Sequence, residues 1–207
     1  MNLCLSHIKV ILLCVAGAVA YGIIHDQITA RLCIEYFTIA HPPLPWLNSN
    51  SPTLVGLAWG VAATFWVGLA LGFPMALASQ SPPSPPVPLA RLGKAILLLL
   101  ATMAVAAMLF GLAGFELSRR GILSLPEGFS DLIPSAHYHR FMAVWFAHGA
   151  SYLFGLLGGL YLIISTWNQR GRPAILQIFP HGGPAVIRTI LVVMAAGVIL
   201  WFRFFRH

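Results

Sequence analysis

Five apolar stretches, at about 8–24, 53–78, 93–117, 141–167 and 184–202, take up most of the chain. A helix that crosses a bilayer needs roughly 20 mostly apolar residues, and each stretch reaches or nearly reaches that length. The only charges inside these limits are Lys9, Lys94, Glu116 and Arg188. Each lies near an end, where a side chain can extend to the headgroups. Trp46, Trp167 and Trp201 lie near the boundaries, as an interfacial aromatic belt requires. The pattern predicts an all-α, polytopic transmembrane helix bundle of about five spans, forming a single domain over residues 1–207.

Composition excludes the main alternatives. Only 8% of the residues are charged, against roughly 25% in soluble domains, and the mean hydropathy is +0.84. The net charge of +7 comes from basic residues scattered between apolar runs. They form no continuous stripe, so nucleic acid is excluded as a partner and the lipid bilayer is the partner expected. Cys4, Cys14 and Cys33 form no CxxC pair, zinc pattern or disulfide framework. They read as packing residues.

The first stretch also imitates a signal peptide, with Lys9, an apolar run and Ala18-Val19-Ala20. An uncleaved helix is the preferred reading, because the run passes directly into a polar segment that looks helical. Of the connectors, 79–88 (SQSPPSPPVP) should be an extended polyproline-like tether, and 168–184 a basic loop punctuated by Gly and Pro.

Five spans place the connectors after the first and third helices on one side of the membrane. Asp26, Glu35, Glu127 and Asp131 fall on that side, with Glu116 at the adjoining helix end; these are all the acids in the chain. His25, His41, His137 and His139 fall there too. The opposite side is basic. Lys and Arg divide evenly between the two sides, so the positive-inside rule gives no orientation. The signal-anchor character of the first helix favours a cytoplasmic N-terminus.

Small residues recur at four-residue intervals in two spans. Gly56, Gly60, Thr64, Gly68 and Gly72 form one row, and Ser151, Gly155 and Gly159 another. Such rows let helix backbones approach where lipid supplies no hydrophobic drive. They predict a tight bundle, with a homodimer or membrane-protein seam as the lesser reading.

Two polar segments could carry chemistry. In the first, HDQITARLCIEYFTIAHP, no Gly or Pro precedes Pro42, so the first helix is expected to continue beyond the membrane surface. His25, Thr29 and Tyr36 would then share a face, and Arg31 could pair with Glu35 four residues on. His25-Asp26-Gln27, Thr29, Arg31, Cys33, Glu35-Tyr36-Phe37-Thr38 and His41-Pro42 together resemble a segment of uncharacterised bacterial integral membrane proteins, a likeness that extends to SPTLVGLAWG at 51–60. The resemblance implies a bacterial cytoplasmic-membrane protein and implies no reaction.

The second segment is PSAHYHRF, leading into WFAHGASY. Ser135 is the expected helix N-cap. His137 and His148, eleven residues apart, would share a face at a separation of about 16 Å, too far for one metal ion. His148 lies inside a span, where an ionisable side chain is a functional candidate by default. The candidate polar site is His25, Asp26, Arg31, Glu35, Tyr36, His41 and Arg140. The candidate metal ligands are His25, Asp26, Glu35, His41, His137, His139 and His148, with His148 also a candidate axial ligand to haem. Nitrogen and carboxylate donors suit zinc or non-haem iron.

No HExxH, paired ExxH or CxxCH motif is present. Gly149-Ala150-Ser151 only partly matches the serine motif of rhomboid proteases, and no histidine in the last span could serve as base. Without a complete catalytic set, whether the chain is an enzyme stays open. The sequence favours a non-enzymatic accessory or scaffold component. A membrane-embedded metal- or haem-binding protein, with a redox role open to it, comes second. A small transporter comes third, since no inverted repeat or interrupted span is evident. The side assignment has its own test. Single cysteines at Thr38 and Ser130 should react with an impermeant maleimide from one side of sealed vesicles, and one at Ser81 from the other.

Overall fold

The computed structural model describes residues 3–170, so the fifth stretch at 184–202 and nearly all of the basic loop lie outside the described residues. The described part is all-helical. Its elements are α1 (Leu3–Leu32), α2 (Glu35–Thr38), α3 (Pro52–Ala62), α4 (Phe65–Gln80), α5 (Leu89–Arg119), a 3-10 turn (Ser135–His137) and α6 (Tyr138–Gln169). Four segments are long and apolar enough to cross a membrane: Leu5–Leu32, Pro52–Gln80, Leu89–Arg119 and Ser135–Gln169. Leu97, Leu98 and Phe73 are more than 60% exposed on the outside of the bundle. Such an apolar exterior suits lipid, and the chain is a multi-pass membrane protein.

Three local expectations are corrected. The first helix does not run on to Pro42. It ends at Leu32, and the chain turns at Cys33 and Ile34 into the single turn of α2. Cys33, Tyr36 and Phe37 are all buried, in one cluster with Val55, Ile133, Phe141 and Val144. A straight helix would carry those side chains away from α6; the turn folds them back over it. Arg31 consequently does not meet Glu35. Its guanidinium bonds the Gln27 carbonyl and Oε1 and the Thr53 hydroxyl.

The second span is interrupted at Ala63–Thr64, contrary to the sequence reading. Thr64 Oγ1 donates back to the Gly60 carbonyl at 2.5 Å, and hydroxyl back-bonding of this kind bends helices. Ser135, finally, is not an N-cap. It opens the 3-10 turn without a side-chain cap bond, and His137 occupies the N-cap position of α6.

The helices associate as two groups, α1 with α3 and α4, and α5 with α6; α1 and α6 touch sparingly. The glycine row on α3 and α4 lies against α1. A Cβ on Gly56 would come within 2.9 Å of the Asp26 carbonyl oxygen, one on Gly60 within 2.6 Å of Ile23 Cα, and one on Gly68 within 2.6 Å of Val15 Cα. Gly72 sits against Cys14 and Ile11. The row on α6 is divided among partners: Ser151 bonds Tyr21 of α1, Gly155 meets Met103 of α5 and Gly159 meets Leu71 of α4. Gly111 and Gly114, not singled out in the sequence, let α5 approach Ala143 and Met142 of α6.

The two ends of the bundle differ. One, built from the C-terminal turns of α1 and α5 and the N-terminal turns of α3 and α6, carries Asp26, Glu35, Glu116, Glu127 and Asp131. At the other, Val10, Met75, Ala76 and Leu92 form a small core. There the Arg170 guanidinium binds the carbonyls of Ala78, Ser81, Ser84 and Pro85, so the proline-rich tether is held down at its start and middle.

Gly60→Ala places a methyl group against backbone that cannot retreat, and should cost about 1–3 kcal/mol. Gly149 has nothing within 4 Å of a built Cβ, so Gly149→Ala should leave stability equal or slightly raised. Thermal unfolding of both variants in detergent is the check.

Candidate functional site

Four α1 side chains, on successive turns near its C-terminal end, set up the site. Tyr21 and His25 are four residues apart and their rings stack at 5.6 Å. Asp26 is buried beside them, and Thr29 Oγ1 donates to the His25 carbonyl at 3.0 Å. α6 supplies His148, Ser151 and Tyr152 from one face. Tyr21 and Ser151 hydroxyls share a hydrogen bond of 2.8 Å across the seam between the two helices.

His25, Asp26 and His148 converge, with one donor atom from each within 4.8 Å of the others. The two imidazoles meet edge to face at 4.5 Å. One hydrogen bond places a hydrogen on His148. Its Nδ1 lies 2.9 Å from the Val144 carbonyl, which can only accept, so Nδ1 carries a hydrogen. Nε2 faces Asp26 Oδ1 at 3.3 Å, presenting a lone pair if the ring carries one hydrogen and a second N–H if it carries two. Two acceptors at that distance repel unless a positive charge joins them. His25 Nε2 is also buried and has no hydrogen-bond partner. The three residues therefore form a buried nest of donor atoms, in which a proton or a metal ion can join Asp26 to His148.

Phenols surround this nest. The Tyr36 ring lies 4.3 Å from that of His148. Its hydroxyl interacts with Tyr152, and Asp26 acts electrostatically on both. Burial pushes the Tyr36 phenol well above its ordinary value, with Tyr152 and Asp26 adding to the effect. It stays protonated and serves as a hydrogen-bond donor. Tyr152 is 55% exposed on the outer flank of α6, so the seam is not sealed laterally.

The other candidates occupy different places. Glu35 joins His137, Oε1 to Nδ1 at 2.6 Å, and accepts from Cys33 Sγ at 3.1 Å. Burial acts to raise the Glu35 carboxyl, but the backbone, Cys33 and His137 together hold it below its usual value. His41 Nδ1 donates to the Tyr36 carbonyl at 2.8 Å, and His139 pairs with Ser118. Arg31 and Arg140 are exposed and lie outside the cluster. Glu35 and His137 thus form an outer pair above the buried cluster, which contains Tyr36 and takes His148 rather than His137.

Tyr21, Ser151 and Tyr152 were missed as site residues in the sequence. The available signal was the i, i+4 spacing of Tyr21 with His25 and of His148 with Tyr152, two polar pairs inside apolar runs. No family model, curated protein or solved structure matches this chain, so the functional reading rests on the geometry alone.

The Cys33 thiol is 3% exposed, and burial, then the neighbouring Glu35, push its pKa up to about 12. At pH 8 only about one thiol in ten thousand would be thiolate. In a Cys4→Ser/Cys14→Ser background the folded protein should resist maleimide until the pH nears 11. Labelling should become fast once the protein is denatured.

Proposed function

We propose that this protein is a membrane-embedded metal-binding protein, holding one divalent transition-metal ion of the zinc or non-haem iron class on His25, Asp26 and His148. The observation that carries this reading is the convergence of one donor atom each from His25, Asp26 and His148 within 4.8 Å of one another, with His25 Nε2 buried and without a partner among the described residues. A metal ion answers all three at once. The Nδ1–H bond from His148 to a backbone carbonyl is the outer contact that metal-bound histidines make to fix their tautomer. Two imidazoles and a carboxylate are suitable donors for these ions. Tetrahedral ligands about 2.1 Å from a metal lie roughly 3.4 Å apart, a spacing that Asp26 Oδ1 and His148 Nε2 already hold at 3.3 Å, so loading would chiefly draw His25 toward them.

Haem fits poorly, since the His25 and His148 rings touch at 4.5 Å and leave no gap for a macrocycle. The glycine rows lie against helices of the same chain, as the tight-bundle reading expects. The signal-anchor character of the first helix supports a cytoplasmic N-terminus, which would put the site near the outer face of the membrane.

One observation favours a second reading, passage of the cation through the bundle. The second span breaks at Ala63–Thr64, where Gly60 and Thr64 pack on Gly22, one turn before His25. Interrupted helices line ion paths in transporters. Metal flux into proteoliposomes separates passage from binding alone.

Protein purified in mild detergent and stripped with chelator should take up one equivalent of Zn²⁺ or Co²⁺. Binding should release about one proton, because the cation replaces the proton that otherwise joins Asp26 to His148. Asp26→Asn and His148→Ala should weaken binding at least about 100-fold. Failure of correctly folded protein to take up either metal would sink the proposal and leave a shared proton as the cation.

A further inference from the structure

The described residues supply the buried centre with three protein ligands. Among the described residues, no other His, Cys, Asp or Glu joins His25, Asp26 and His148. Structural zinc sites close their coordination with four protein ligands, whereas three leave a position for water or an external ligand. The side chains around the nest differ in what they can offer that position. The Tyr21 hydroxyl is engaged with Ser151, and its ring lies against His25. Phe37 presents only an apolar ring, 5.6 Å from His148. Tyr36 and Tyr152, by contrast, bring hydroxyls close enough to Asp26 to feel its charge and each other. Two phenols bonded to each other use one hydrogen between them, so one O–H remains to be donated.

Resting on the metal reading above, we infer that the centre is an open one, in which Tyr36 and Tyr152 form a hydrogen-bonding pocket for a small exogenous ligand on the metal. The ligand class is a water molecule in the resting protein, replaceable by a small anion or diatomic with an exposed lone pair. Size is limited by the surrounding rings of Tyr36, Phe37 and Tyr152, whose centroids stand 4.3, 5.6 and 6.1 Å from that of His148. At the polar end, α2 covers His148 with Tyr36 and Phe37. Binding here would exchange one metal-bound ligand for another, with no change of oxidation state. Tyr36 donates to Tyr152, whose O–H is left to donate to the ligand, and the carboxylate of Asp26 would stay on the metal.

Full-length protein loaded with Co²⁺ gives a direct optical readout, with azide as the probe ligand. The expected result is a saturable change in the visible Co²⁺ bands on adding azide. Tyr152→Phe should weaken azide about 5- to 10-fold, the worth of one hydrogen bond, and Tyr36→Phe by a smaller factor through loss of its bond to Tyr152, while Co²⁺ affinity and the thermal midpoint stay at the parent values. Co²⁺ bands that do not respond to azide would show a closed centre and overturn this inference while leaving the metal site standing. Azide binding indifferent to both substitutions would overturn the assignment of the phenols. If no Co²⁺ is retained, both the metal reading and this inference fall.

Discussion

The close approach of α1 to the second span is the constraint on which the site depends. Gly56 and Gly60 have no side chains where Asp26, Gly22 and Ile23 press against them. In lipid there is little hydrophobic gain from helix association, so backbone proximity and the dispersion contacts it permits must hold the pair together. That contact fixes the height and rotation of α1. His25 and Asp26 then project toward α6, with no loop involved in aiming them. Arg31, bonded to Gln27 and to Thr53 at the start of α3, secures the same register at the surface. A site built on rigid helices in this way keeps its donors in place without a bound ion.

The seam between α1 and α6 works differently. These helices share few backbone contacts and are joined by side chains: Tyr21 to Ser151, Asp26 to His148, Glu35 to His137. Polar bridges between membrane helices are worth about 1 kcal/mol each, far less than a continuous glycine contact can collect. An ionisable pair away from water is costly unless its charge is balanced. The pairing of a tight, polar-poor interface with a loose, polar-rich one divides the bundle between support and function. Positional precision comes from α3 and α4, and the uncompensated donors stand where the packing is weakest.

Much of the architecture was legible because lipid imposes a simple code. Four of the five apolar stretches became helices close to the expected limits, and the acids gathered at one end as helix parity required. The breaks were not legible. The turn at Cys33 is set by burial of Cys33, Tyr36 and Phe37 against Phe141 and Val144, a tertiary demand that leaves no Gly or Pro in the sequence. The interruption at Ala63–Thr64 depends on one threonine hydroxyl reaching back to Gly60, and Thr64 read simply as another small residue in the row. For the site, residue types were visible but partners were not. His25, Asp26 and His148 were all candidates, yet spacing along a helix cannot say which side chain on another helix will face them.

The division of the histidines has a physical basis in depth. His137 lies in the first exposed turn and meets Glu35, whose side chain is 15% exposed, so water can share the cost of any charge there. His148 is eleven residues further along α6, with a side-chain exposure of 5% against 8% for Asp26. At that depth the lone pairs of Asp26 and His148 cannot be left facing each other, and no Lys or Arg makes a salt bridge with Asp26 among the described residues. The charge must come from a mobile species, either a proton or a metal ion. That requirement follows from the hydrogen on Nδ1 of His148, held by a helix carbonyl that cannot be removed by any side-chain substitution. The backbone of α6 thus determines which way the His148 ring is turned, and α1 determines that Asp26 faces it.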